Sequence, residues 1–169
     1  MIRRDDGRVS APWCIKGVGY MELMLAVALV GLLGAIGLPS YESYKKRLEI
    51  TQAIGDIKLI EQSLSRFEVQ SEQGGFPDSL AELGTPVGDD PWGNPYQYLN
   101  LEGVTKNGKA DDGRARKDRK LKPINWDYDL YSMGPDGQSA LDLTKKPSRD
   151  DIVRAGNGAF IGTAADYVP

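Results

Sequence analysis

Between residues 17 and 75 the chain changes from uniformly apolar to apolar on one side only, and both patterns indicate helix. Residues 17–41 carry a single charged side chain, that of Glu22. An apolar run of this length can span a bilayer as a helix. Farther along, apolar residues recur at three- and four-residue steps up to Gly74-Gly75, namely Ile50, Ile54, Ile57, Ile60, Leu64 and Phe67. We therefore predict one long helix from residue 18 to about residue 73, with its second half packed on a domain.

The rest of the chain alternates short apolar segments with turn residues. Residues 76–84 predict a short capped helix or turn closed by Gly84. Three strands are predicted at residues 96–101, 128–132 and 159–162. Residues 103–123 are polar and rich in Gly, Lys and Arg, which indicates a loop. The predicted fold is α+β, with the helix packed on a three-stranded antiparallel sheet that carries a long C-terminal loop.

Glu22 belongs to a motif with defined spacing. It follows a basic leader that ends at Gly17, and Gly31 and Pro39 interrupt the apolar run. This arrangement resembles the N-terminus of type IV pilins and pseudopilins, in which a peptidase cleaves after a glycine and the fifth mature residue is glutamate. The resemblance implies cleavage after Gly17, methylation of Val18 at its new amine, and assembly roles for Glu22, Gly31 and Pro39.

Two simpler interpretations of the N-terminus explain less. A secretory signal peptide has a shorter apolar part and a small-residue cleavage site, which is missing here. A plain signal anchor accounts for the apolar run and for the basic residues before it. It does not account for Glu22, Gly31 and Pro39 at this spacing. Cleavage after Gly19 would make Glu22 the third residue, so we reject it.

Composition excludes several classes of catalytic site. The chain has no His, and its one Cys, Cys14, lies in the leader. The commonest general base and zinc ligand are therefore missing, and so are Ser–His and Cys–His pairs. Removal of residues 1–17 leaves 17 basic and 22 acidic residues, a net charge of −5. That balance is not typical of a nucleic-acid-binding protein.

The C-terminal half carries a second resemblance. Residues 90–98, Asp-Pro-Trp-Gly-Asn-Pro-Tyr-Gln-Tyr, resemble the hairpin entry of the major pseudopilin of type II secretion. Residues 128–137, Tyr-Asp-Leu-Tyr-Ser-Met-Gly-Pro-Asp-Gly, resemble the strand and calcium-loop entry of the same family. Adhesive pilins usually close this region with a disulfide. Together the two resemblances cover residues 17–100 and 127–152, and they leave residues 103–123 unmatched.

The second resemblance implies a bound calcium ion. Its ligands would be Asp136, Asp150, Asp151 and the backbone carbonyl of Met133, and calcium prefers such hard oxygen ligands. Residues 137–149 form a longer loop than the family has, so Asp142 is an alternative ligand. The competing interpretation is that these aspartates are solvated turn residues. We expect calcium to support the fold and assembly.

Two further groups of side chains have more than one interpretation. A basic run in the loop suggests capture of DNA or another anionic polymer: Arg114, Arg116, Lys117, Arg119, Lys120 and Lys122. No aromatic residue is interleaved for base stacking, so we favour a solvated loop that at most touches an acidic neighbouring subunit. Five aromatic residues suggest a carbohydrate platform: Trp92, Tyr96, Tyr98, Trp126 and Tyr128. Packing in the core and hairpin is the favoured interpretation, because aromatics bury large areas in small domains.

Together, the motifs and the composition predict a structural subunit rather than an enzyme. The resemblance implies that residues 1–17 are a cleaved leader, residues 18–40 a transmembrane and filament-core helix, and residues 41–169 a periplasmic head. The resemblance implies a pseudopilus of type II secretion that drives export through the outer membrane. It also implies an inner-membrane location before assembly and, as partners, other copies of the chain, the prepilin peptidase, minor pseudopilins and the assembly platform. A retractile type IV pilus subunit and a monomeric membrane-anchored binding module are the alternatives.

Overall fold

The computed structural model describes residues 17, 19–71, 74–102, 105–106, 109–110, 113–120 and 122–168. The chain divides into two compact units, Met1–Glu42 and Ser43–Pro169. Helix α1, Tyr20–Gln70, has residues in both units. The predicted long helix is therefore confirmed.

The part of α1 in the first unit is apolar and unburied. Its most apolar 18-residue window has a mean hydropathy of 2.2, and none of that window is buried within the protein. The helix is long and apolar enough to cross a membrane. In water such a surface would be costly, so it requires lipid or other apolar helices around it.

The second unit contains a four-stranded antiparallel sheet and a separate two-stranded ribbon. The sheet has the order β1-β4-β5-β6, and the ribbon pairs β2 with β3. The strands are β1 Gln97–Asn100, β2 Thr105–Lys106, β3 Lys109–Ala110, β4 Tyr128–Ser132, β5 Ile152–Ala155 and β6 Phe160–Thr163. Short 3-10 helices lie at Leu80–Leu83, Lys146–Ser148 and Ala164–Asp166. Gly84 ends the first of them in the left-handed conformation, with φ of 69°, as its predicted closing role requires.

One face of the sheet packs on α1. The buried helix residues, spaced by four, three and four positions, are Ala53, Ile57, Ile60 and Leu64. They form a core with Tyr96, Tyr128, Leu130 and Ile152. The 3.6-residue period of the helix places these four side chains on one side, which confirms the predicted amphipathic pattern.

The sequence prediction missed strand β5. Ile152 belongs to the core beneath α1, whereas Val153 and Ala155 belong to a second apolar cluster on the opposite face with Ile124, Leu143 and Ala164. All four residues of β5 are buried. A strand buried on both faces shows no alternation of apolar and polar residues, so the period-2 signal is missing. The α+β fold is confirmed, with four strands in the main sheet instead of three.

Candidate functional site

The start of α1 presents Glu22 in its first turn. The backbone N–H groups of Glu22 and Leu23 donate to the Gly19 carbonyl at 3.0 and 3.1 Å. The Glu22 side chain is exposed, and Gly17 lies before the helix and is also exposed. A carboxylate in the first turn is favourable because it faces the positive end of the helix dipole. Val18 and residues 1–16 of the leader, including Cys14, lie outside the described residues.

Gly31 and Pro39 both lie within α1. A Cβ atom added at Gly31, Gly34 or Gly37 would meet no other atom within 4 Å. Packing within this chain therefore does not require these glycines. Pro39 cannot donate a backbone hydrogen bond, which weakens the helix locally. At the next position, the Ser40 hydroxyl donates to the Ile36 carbonyl at 3.0 Å.

The two C-terminal motifs, residues 90–98 and 128–137, interlock in the structure. Asp90 accepts hydrogen bonds from the backbone of Trp92 and Asn94 and, at 2.5 Å, from the Ser132 hydroxyl. The Asn94 side chain donates to the Gly134 carbonyl at 3.2 Å. Hence the turn at the start of the first motif holds the exit of strand β4.

Three of the predicted calcium ligands lie where strand β4 leads into the C-terminal loop. Gly134, next to Met133, lies against Asp150, whose carbonyl oxygen would be 2.5 Å from an added Cβ atom. Asp136 is exposed and accepts a hydrogen bond from the backbone of Gln138 at 2.8 Å. Within the described residues, no three carboxylates are grouped closely enough to hold a metal ion. Calcium binding therefore stays a prediction.

The alternative ligand, Asp142, has a local role. Its carboxylate accepts hydrogen bonds from the Thr144 backbone at 3.0 Å and from the Thr144 hydroxyl at 2.8 Å. These bonds lower the pKa of Asp142 below its usual range. Such contacts are those of a turn-forming aspartate.

The fourth predicted ligand, Asp151, is fully buried and faces an arginine. Arg116 Nη2 donates to Asp151 Oδ2 at 2.5 Å, and the Ser139 hydroxyl donates to the same oxygen at 2.6 Å. Burial raises the pKa of Asp151, while the hydrogen bond from Ser139 and the charge of Arg116 oppose the rise. Arg116 belongs to residues 103–123, which the family resemblance does not cover. Its pair with Asp151 therefore joins that segment to the end of the C-terminal loop, residues 137–149.

The buried position of Arg116 corrects the interpretation of the basic run. Arg116 is only 2% exposed, so it cannot belong to a solvated basic surface. Arg114, Arg119, Lys120 and Lys122 are exposed, as expected for such a loop. Asp111 and Asp112, which dilute the charge of the run, lie outside the described residues.

The aromatic residues divide between core and surface. Tyr96 and Tyr128 lie in the core beneath α1, and Tyr98 packs against it. The Tyr96 hydroxyl donates to Asp56 at 3.0 Å, and the Tyr98 hydroxyl to the Pro77 carbonyl at 2.8 Å. Core packing is thus confirmed for the tyrosines, whereas Trp126 is 48% exposed.

A second buried arginine, Arg154, was not among the residues singled out from the sequence. It donates to Glu61 of α1 at 2.8 Å and to both oxygens of Asp127 at 2.9 and 2.7 Å. Its guanidinium carbon lies 4.1 Å from the centre of the Tyr128 ring. The segment Ile152-Val153-Arg154-Ala155 could have revealed this residue in the sequence. An arginine between β-branched and small apolar residues indicates a buried ion pair.

The chain is similar to pilins and to secretion proteins over most of its length. It is 44% identical to the type IV major pilin protein PilE of Neisseria gonorrhoeae, covering 88% of this chain and 89% of that protein. It is 29% identical to type II secretion system core protein G of Pseudomonas aeruginosa, covering 73% and 85%. The corresponding protein G of Aeromonas hydrophila is 24% identical over 75% and 87%.

No protein-family model matches the chain. No solved structure matches it significantly.

Proposed function

Because the chain belongs to the type IV pilin-like family and is related to core protein G of type II secretion, we propose that it is a structural subunit of a secretion pseudopilus. The observation that carries the proposal is the unburied apolar part of α1, with one carboxylate in its first turn. Lipid covers this surface in the single subunit. Other copies of the same helix cover it in a filament, which makes self-assembly the natural second state.

Maturation is the first proposed step. Prepilin peptidase cuts after Gly17 and methylates the amine of Val18. The exposure of Gly17 and its place before α1 support this step, because a protease needs an extended and accessible chain. Cleavage leaves Glu22 as the fifth residue and places a new positive amine four residues before it.

Assembly is the second proposed step, and Glu22 sets its register. An isolated carboxylate is costly in a filament core and requires a cation. The amine of Val18 on the neighbouring copy supplies that cation. Such a pairing forms at one axial offset only, so it selects how far each subunit is shifted along its neighbour. Packing within one chain does not require Gly31, Gly34 or Gly37, so this segment of the helix can change conformation when neighbouring copies pack against it.

The secretion system is favoured over the pilus by the C-terminal region. The interlocked motifs at residues 90–98 and 128–137 are the part that resembles major pseudopilins. Before assembly, the subunit resides in the inner membrane with its head in the periplasm. It then joins minor pseudopilins on the assembly platform. The growing filament pushes folded proteins through the outer-membrane channel. A retractile type IV pilus is the second candidate, and the identity of 44% to the Neisseria pilin favours it.

Filament yield tests the assembly proposal. Glu22→Ala should leave the protein in the membrane fraction but remove most sheared or extracted filaments. Glu42→Ala is the matched control, because Glu42 is an exposed glutamate of the same helix. Wild-type yield from Glu22→Ala would contradict the proposed register. Deletion of the gene separates the two systems, since loss of protein export with intact twitching supports the pseudopilus and the reverse supports the pilus.

A further inference from the structure

Arg116 is the centre of a buried polar cluster that holds the C-terminal loop. Its Nη2 group contacts Asp151, and its Nη1 group donates to the Ser139 hydroxyl at 2.9 Å. The Ser139 hydroxyl also donates to Asp151, so the three side chains close a ring. The Arg116 guanidinium carbon lies 3.8 Å from the centre of the Tyr131 ring, close enough for a cation–π contact.

The backbone around Arg116 is tied down on both sides. The Arg116 N–H donates to Asp129 of strand β4 at 2.7 Å, and its carbonyl accepts from Ile124 at 3.0 Å. The next residue, Lys117, pairs with the C-terminal loop through Leu141 and Leu143 at 2.8 and 3.0 Å. The guanidinium is therefore placed by a fixed backbone and not by a mobile loop.

These contacts change the chemistry available to Asp151. One oxygen of its carboxylate already accepts two short hydrogen bonds, one of them from a full positive charge. A calcium ion bound there would stand within a few ångströms of that charge, in a buried region where like charges repel strongly. Asp136, its expected partner in the ligand set, is exposed and bonded within its own turn. The other oxygen, Oδ1, is buried and has no hydrogen-bond partner among the described residues. No three acidic side chains of the described residues lie close enough together to hold a metal ion with it, so the expected ligand set does not fit Asp151 in this structure.

We propose that the Arg116 guanidinium is the cation that pairs with Asp151. This ion pair, in place of a calcium ion, holds the C-terminal loop in position. A guanidinium stays protonated over the physiological pH range and cannot dissociate from the chain. It neutralises the single fully buried carboxylate of the predicted ligand set, while Asp136 and Asp150 keep contact with solvent. The fold of the head then depends neither on free calcium nor on a disulfide.

The melting temperature of the full-length protein in detergent tests this inference. We expect the same value in calcium chloride and in EGTA, with magnesium chloride as the control for ionic strength. Metal analysis of the purified protein should find far less than one calcium per chain. A calcium-bound native state would instead melt several degrees higher in excess calcium. Such a shift in the wild-type protein, together with one bound calcium per chain, would overturn the inference.

Variants of Arg116 test the arginine directly. Arg116→Gln should lower the melting temperature by about 10 °C, because it leaves Asp151 buried and unpaired. Arg119→Gln is the matched control, since Arg119 lies in the same loop and is exposed. Asp151→Asn in the Arg116→Gln protein should cost much less than it does in the wild type. Additive losses would show that the two side chains act separately, and a wild-type melting temperature for Arg116→Gln would also refute the pairing.

Discussion

Arg154 joins helix α1 to the sheet, so its replacement tests how the head is held together. Its side chain is 4% exposed, and it bridges Glu61 on the helix to Asp127 beside strand β4. Burial lowers the pKa of Arg154, but the hydrogen bonds to Asp127 and Glu61 more than offset this and hold it above its usual value. Arg154→Met keeps the length of the aliphatic stem and removes the charge and all its hydrogen bonds.

The loss in the free energy of unfolding depends on how far the carboxylates of Glu61 and Asp127 regain hydration when Arg154 is replaced. Removing one partner of a buried ion pair costs about 3–5 kcal/mol. The side chains of Glu61 and Asp127 are 26% and 23% exposed, so part of their hydration returns in the variant. We therefore expect the lower end, a loss of about 3 kcal/mol in the free energy of unfolding. For a domain of this size that is a fall of about 10 °C in the melting temperature.

Urea titration of the full-length protein in detergent, followed by circular dichroism, measures this loss. Arg154→Lys should lose less than Arg154→Met, because it keeps the charge but not the two-pronged contact with Asp127. Arg149→Met is the matched control, since Arg149 is exposed just before the same strand. A loss below about 1 kcal/mol for Arg154→Met would refute the reasoning, because such a value is typical of a surface ion pair.

Three further predictions concern the N-terminus, the glycine-rich part of α1 and a buried carboxylate. N-terminal sequencing of the membrane-extracted protein should begin at methylated Val18, and a start at Met1 would contradict processing. In a reconstruction of the filament, residues 31–39 should be unwound, because glycine and proline are poor helix formers and neighbouring chains offer other contacts; an unbroken helix there would rule this out. Burial raises the pKa of Asp129 despite hydrogen bonds from Arg116 and Asn125, so its stabilising contribution is complete below about pH 4 and is lost as the pH rises through the raised pKa. Relative to Asp129→Asn, the wild type should therefore lose stability from pH 4 to pH 7, and parallel unfolding curves at all pH values would contradict this.

The elements that depend on local pattern could be predicted from the amino-acid sequence. The apolar run after Gly17 and the three- and four-residue steps from Ile50 to Phe67 were enough to predict α1. Helices are readable in this way because residues three and four apart share a face, so burial leaves a periodic trace in the sequence. The motif around Glu22 and the two C-terminal motifs were likewise readable, since each has a fixed spacing along the chain.

Which charged residues are buried, and which groups they contact, became apparent only from the folded structure. In the sequence, Arg116 is one of six basic residues in a polar loop. In the structure it lies beside Asp151, 35 positions away. Arg154 bridges Glu61, 93 positions away, and strand β5 escaped prediction because it is buried on both faces. Sequence patterns report on a residue's neighbours along one helix or strand. Ion pairs between distant segments leave no such periodic trace, because their energy depends on burial and geometry that exist only after the chain has folded.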